Sequence, residues 1–215
     1  LLGIVPITAI ACWARADRLA FTSSLVGVSG LLLTASLVFP QDQPDSDAAD
    51  VTVAAVNLLY ANPIVSEAAD DLLVLDSDAI LFTEYTPEHQ ALLRSHPLSA
   101  TYPHKIEREG PLIGGIALWS RYPITEGKQL ATFNDTLDIT MDAPDGPVRL
   151  LGVHPPTPMF RFDGWVDDLG TFGEVGGAAQ QPTLIIGDFN ASYWHPAFRD
   201  ILGKGFTDAH NAHGQ

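Results

Sequence analysis

Apolar positions follow two different patterns along this chain. Residues Leu1 to Ala14 carry no charge. Arg15-Ala-Asp-Arg18 follows, and then Leu19 to Phe39 runs for 21 residues without a charge. At about 1.5 Å of rise per residue, that run is close to the roughly 30 Å of a bilayer core. The pattern predicts a partial helix over 1–14, a basic turn over 15–18 and a transmembrane helix over 19–39. Two other readings stay open: a secretory signal peptide beginning at Arg15 and Arg18, and a buried globular hairpin. In the membrane reading, short basic loops stay cytoplasmic, so everything after Pro40 is expected on the extracytoplasmic side of a cell membrane. Gln41 to Asp50 is an acidic spacer.

From residue 51 the apolar runs shorten. Four of them end on a polar residue: Val51–Val56 before Asn57, Ala79–Thr83 before Glu84, Val148–Val153 before His154, and Thr183–Gly187 before Asp188. Runs of this length read as strands buried on both faces. Four polar groups at four strand ends point to one shared site at one edge of a sheet. Gly115–Ser120 and Asp138–Met141 are further strand candidates. Helical spacing marks Pro63–Leu75, Pro87–Ser95 and, interrupted by glycines, Phe162–Ala179. Strands outnumber helices and alternate with them irregularly, which favours a layered sandwich of sheets flanked by helices.

Composition narrows the chemistry. The chain has 26 acidic and 11 basic residues, a net charge of −15, and a single cysteine, Cys12. A disulfide framework and a cysteine zinc site are excluded. The charge argues against binding that depends on non-specific phosphate contacts along nucleic acid. No Walker A, G-x-G-x-x-G, H-E-x-x-H or G-x-S-x-G pattern occurs. His210 and His213 alone make an incomplete metal site. Asn134 and Asn190 each begin an N-x-[ST] match too common to carry weight.

Gly187-Asp-Phe-Asn190, directly after a strand, resembles a signature of the endonuclease/exonuclease/phosphatase superfamily, and the other pieces stand in the order expected of it. They are AAVN ending at Asn57, ILFTE ending at Glu84, Gly115 to Ile124 containing Ser-Arg-Tyr-Pro, LLGVH ending at His154, and Gly205-Phe-Thr-Asp208-Ala. The hairpin, Asn62-Pro63 and His154-Pro-Pro156 resemble a membrane-anchored bacterial branch. The resemblance implies a four-layer α/β sandwich over 51–215, two mixed β-sheets face to face with helices outside. It also implies hydrolysis of a phosphoester in nucleic acid, phospholipid or a small molecule, with Mg²⁺ or Mn²⁺. It makes Glu84 the main metal ligand, with Asn57 beside it as ligand or neighbouring amide. Asp188 orients or deprotonates water, Asn190 holds it, and His154 donates to a phosphate oxygen. Hard oxygen donors of this kind suit such a cation.

Two departures stand out. Glu84 lies in TEYTPEH, an unusual context. The family's closing Asp-His pair is represented by Asp208 alone, so the chain is expected to be truncated at both ends, to bind metal and to hydrolyse weakly. The competing class is a catalytically impaired, membrane-anchored module that binds lipid or a partner protein.

Overall fold

A computed structural model describes residues 51–212. The expected membrane segment at 1–40 and the spacer at 41–50 lie outside the described residues. Among the described residues, no helix is long and apolar enough to cross a membrane. The chain divides into two compact units, Ala48–Phe206 and Leu1–Asp47 with Thr207–Gln215.

The larger unit begins with β1 (Val53–Asn57), α1 (Val65–Leu75) and β2 (Ala79–Thr83). Next come α2 (Pro87–Ser95), α3 (Leu98–Thr101), β3 (His104–Arg108) and β4 (Ile116–Ser120). These strands form a mixed sheet in the order β1-β2-β4-β3, with β1 and β2 parallel. A second mixed sheet follows from β5 (Ile124–Glu126), β6 (Leu137–Ala143), β7 (Gly146–Val153) and β8 (Thr183–Gly187), in that order, with β7 and β8 parallel. Each parallel pair is bridged by a helix, as parallel strands require: α1 for the first and α4 (Phe162–Gly177) for the second. The unit closes with α5 (Pro196–Leu202). The smaller unit holds α6 (Ala209–Ala212).

Alternation along the strands sorts side chains into layers. Ala79, Leu81, Ile116 and Leu118 of the first sheet pack with Leu137, Ile139, Met141 and Leu150 of the second. The intervening residues Ile80, Phe82, Ala117 and Trp119 face the other way, against Ala69 and Leu72 of α1 and Leu93 of α2. On the far side, Leu151 and Val153 pack against Trp165, Leu169 and Phe172 of α4 and Ile201 of α5. The result is helices, sheet, sheet, helices, the expected four layers.

Local chemistry sets the element limits. The helix expected from Pro63 begins at Val65, because Asn62 Oδ1 accepts the Ile64 amide at 3.0 Å and holds a turn there. Helix α2 starts where expected: Thr86 Oγ1 accepts the His89 amide at 3.2 Å as its N-cap, and Pro87 opens its first turn. Helix α4 survives its glycines because they make room. A Cβ on Gly176 would stand 2.7 Å from the Phe206 ring. Strands β3 and β5 and helices α3 and α5 were not expected from the pattern.

Candidate active site

Parallel pairing places the C-terminal ends of β1 and β2 side by side, and those of β7 and β8 likewise. The two pairs meet through Asn57. Its Nδ2 donates to Glu84 Oε1 at 3.1 Å and to Asp188 Oδ2 at 3.0 Å. The other end of the amide is also engaged, since Oδ1 accepts the Leu59 amide at 2.9 Å. Donors and acceptors therefore fix which way the amide points. Glu84 is buried and its Oε2 accepts the Tyr60 amide at 2.9 Å. Asp188 Oδ1 accepts the Asn190 amide at 2.9 Å.

His154 is buried beside this pair. Its Nε2 stands 4.0 Å from Asp188 Oδ2, too far for a direct hydrogen bond. Its Nδ1 lies 3.2 Å from the Ile113 carbonyl. A carbonyl only accepts, so Nδ1 carries a proton and Nε2 is the nitrogen presented to the site. Asn190 Nδ2 donates to the Pro155 carbonyl at 3.0 Å, leaving its second N–H for another acceptor.

Two of the candidate site side chains stand on left-handed backbone, Glu84 at φ 55° and Asn190 at φ 48°. Asparagine tolerates this region; a glutamate there costs on the order of 1 kcal/mol or more. Neighbouring bonds hold Glu84 in place: its carbonyl lies 3.0 Å from His89 Nδ1, and the Tyr85 amide donates to the Gly115 carbonyl at 3.0 Å. Gly187, at φ 141°, sits where any Cβ would come within 2.0 Å of the Val153 carbonyl oxygen. That close approach brings Asp188 alongside His154.

Among the described residues, no lysine or arginine pairs with Glu84 or Asp188. Two carboxylates thus share a single amide N–H₂ group and no cationic side chain. Such a donor set fits a small hard cation. No group of three or more His, Cys, Asp or Glu forms a metal cluster among the described residues. An ion held here would complete its shell with water or substrate oxygens, as Mg²⁺ does readily. Direct ligation by Asn57 would require Oδ1, which now holds the Leu59 amide.

The structure brings together five of the six residues singled out in the sequence: Asn57, Glu84, His154, Asp188 and Asn190. Asp208 belongs to the smaller unit, where its Oδ1 accepts the His210 amide at 2.9 Å. Sequence reasoning missed Asn134, whose Nδ2 donates to the His154 carbonyl at 2.8 Å. Only its N-x-T pattern was visible. The amides of Leu59 and Tyr60 and the carbonyls of Ile113 and Pro155 were also missed, because backbone groups leave no residue-type signal.

Solved structures with the same fold include beta toxin from Staphylococcus aureus with bound magnesium ions, at TM-score 0.56 and 15% identity over 73% of this chain and 70% of that one. Sphingomyelinase C from Streptomyces griseocarneus matches at TM-score 0.56 and 15% identity, over 72% and 69%. Humanized D. rerio TDP2 matches at TM-score 0.57 and 11% identity, over 71% and 67%. No curated protein matches the sequence. The model of the Endonuclease/Exonuclease/phosphatase family matches residues 46–214, which include every strand and helix described above. This chain belongs to the Endonuclease/Exonuclease/phosphatase family.

Proposed function

We propose that this chain is a divalent-metal-dependent phosphoester hydrolase held at a membrane by its N-terminal segment. The observation that carries the reading is the junction at Asn57, where the Glu84 and Asp188 carboxylates face one point without a cationic side chain. Glu84 would hold the ion, and Asn57 would keep the Glu84 oxygen turned toward it. A bound Mg²⁺ or Mn²⁺ supplies positive charge against the phosphoryl oxygens. The rest falls to the side chains. Asp188 Oδ1 accepts the Asn190 amide and Oδ2 accepts Asn57 Nδ2; Oδ2, which stands 4.0 Å from His154 Nε2, is the oxygen that would use its remaining lone pair to orient water and take its proton. With its proton on Nδ1, neutral His154 presents Nε2 as an acceptor, so it would donate to a phosphoryl or leaving oxygen only as the imidazolium, with both ring nitrogens protonated. Asn190 offers its remaining N–H to the same group. The magnesium ions bound to beta toxin support the metal assignment.

Glu84→Gln keeps the volume and removes the charge. Turnover of bis(p-nitrophenyl) phosphate should fall about 10²-fold or more while the far-ultraviolet circular dichroism is unchanged. EDTA should abolish turnover reversibly. Full activity in EDTA would overturn the assignment.

The membrane reading rests on the uncharged run Leu19–Phe39 and on Arg15 and Arg18. An enzymatic reporter fused after Pro40 should be active only outside the cytoplasm. Signal from a reporter that works only in the cytoplasm would reverse the orientation.

A further inference from the structure

Resting on the hydrolase reading, we infer that the rim of this site is a lipid-interface surface and that the substrate is a phosphoester presented in the headgroup layer of a zwitterionic bilayer. Four loops surround the clustered strand ends, at 58–64, 109–115, 154–161 and 188–195. Each is tied to the catalytic groups, through the Tyr60 amide, the Ile113 carbonyl, His154 itself and Asp188 itself. Each also turns large apolar side chains to solvent. Leu59 and Tyr60 are exposed on the first, Leu112 on the second and Trp194 on the fourth. Met159 and Phe160 on the third are 84% and 85% exposed. Single exposed apolar residues are ordinary, but several gathered around one site mark a contact surface.

Charge decides what the surface fits. Across these four loops the only lysine or arginine is Arg161, which lies over the Phe133 ring at 4.4 Å. A groove for a polyanionic nucleic acid needs several cations along its walls, because phosphate neutralisation supplies much of that affinity. Nothing here supplies them, and the chain as a whole carries −15. An anionic bilayer would be repelled for the same reason. A zwitterionic surface has no net charge to repel, and it takes apolar and aromatic tips into its headgroup–acyl boundary. On the membrane reading, the 21 uncharged residues from Leu19 to Phe39, followed by a short spacer, would tether this domain to a bilayer. In such a docked state the phosphoester reaches Glu84 and Asp188 without leaving the membrane.

The test uses the full chain in phosphatidylcholine vesicles, with Cys12→Ser to remove the native thiol. A fluorophore is placed at Phe160→Cys or, as control, at Val74→Cys. Val74 is exposed near the C-terminal end of α1, which leads back to the start of β2 and so lies at the opposite end of the strands from the site. Lipids carrying bromine in their acyl chains should quench the label at 160 strongly and that at 74 little. Equal quenching at both positions, or none at 160, would overturn docking. In parallel, the double variant Met159→Ser, Phe160→Ser should lower the ratio of phosphatidylcholine hydrolysis to bis(p-nitrophenyl) phosphate hydrolysis about tenfold. An unchanged ratio, or faster cleavage of a single-stranded DNA oligonucleotide than of lipid, would overturn the substrate class. Absence of all phosphoester hydrolysis would overturn the underlying hydrolase reading, while docking would still be decided by the quenching.

Discussion

Asn57 occupies a position that only a side chain with two N–H groups and one acceptor can fill. Its Nδ2 separates two carboxylates, and its oxygen anchors the next turn of chain. Asn57→Leu keeps the branched shape but removes both N–H groups and the acceptor of the Leu59 amide, leaving Glu84 and Asp188 to repel. Stability should drop by about 2 kcal/mol. Millimolar Mg²⁺ should then raise the variant's melting temperature more than that of the parent, because the cation takes over part of the screening. An equal shift in both proteins would show that the amide does not stand between the charges. Glu84 and Asp188 were legible in the sequence because each is a polar residue closing an apolar run. Asn134 was not legible: its loop is bounded by weak strand signals, and its bond runs to a backbone carbonyl.

Among the elements, the strands that carry the site were readable and some that support it were not. β2 is buried at all five positions, and its sequence, AILFT, is apolar up to the closing Thr83. β3, His104–Arg108, reads as a charged loop, yet it pairs with β4 along its length. The reason lies in Glu107, whose carboxylate accepts from Tyr85 Oη at 2.5 Å, from Trp119 Nε1 at 3.1 Å and from Arg94. A buried charge with three donors is tolerated where a bare one is not. The junction of β7 and β8 is tighter still. In Gly187→Ala the new methyl group would meet the Val153 carbonyl oxygen, and alanine would adopt a backbone that L residues avoid. A loss of about 2–4 kcal/mol is expected in urea unfolding. A variant as stable as the parent would show that this strand pair can slide.

At the scale of the whole molecule, three partly buried carboxyl groups among the described residues contribute to the acid response. Burial alone would raise the Glu107 pKa, but the bonds from Arg94, Tyr85 and Trp119 outweigh it, and the group sits below its usual value. Asp78 behaves likewise: burial opposes, the Thr52 amide and hydroxyl and Tyr122 prevail, and its pKa is lowered. Both contribute stability that is present above the ordinary carboxylate range, about 4 to 4.5, and is lost as pH falls through their lower native values. Asp168 runs the other way. Burial lifts its pKa despite the Phe133 amide, and Asp167 adds to the rise. Its ionisation therefore costs stability as pH rises from the ordinary aspartate value through the raised one. Loss of the Glu107 and Asp78 contributions should pull the urea midpoint down as pH falls from about 4.5 toward 3, opposed by the gain from Asp168. Glu107→Gln should lower the midpoint at pH 7 and flatten that fall. An unaltered pH slope in the variant would remove Glu107 from the acid response.

The bond between Asn57 and Asp188 joins residues 131 positions apart. Synthesis delivers a chain from its N-terminus at roughly 5–20 residues per second, and segments gain structure as they emerge. The first sheet is complete in sequence by Ser120, but its Asn57 amide has no second carboxylate to meet until the end of β8 has been made. Contacts spanning such distances also form late, since a long loop must close before they return any free energy. A nascent chain therefore carries Glu84 before Asp188 has been made, and the junction of the two carboxylates is deferred to the end of folding. On the proposed hydrolase reading, cleavage chemistry would await the completion of folding itself.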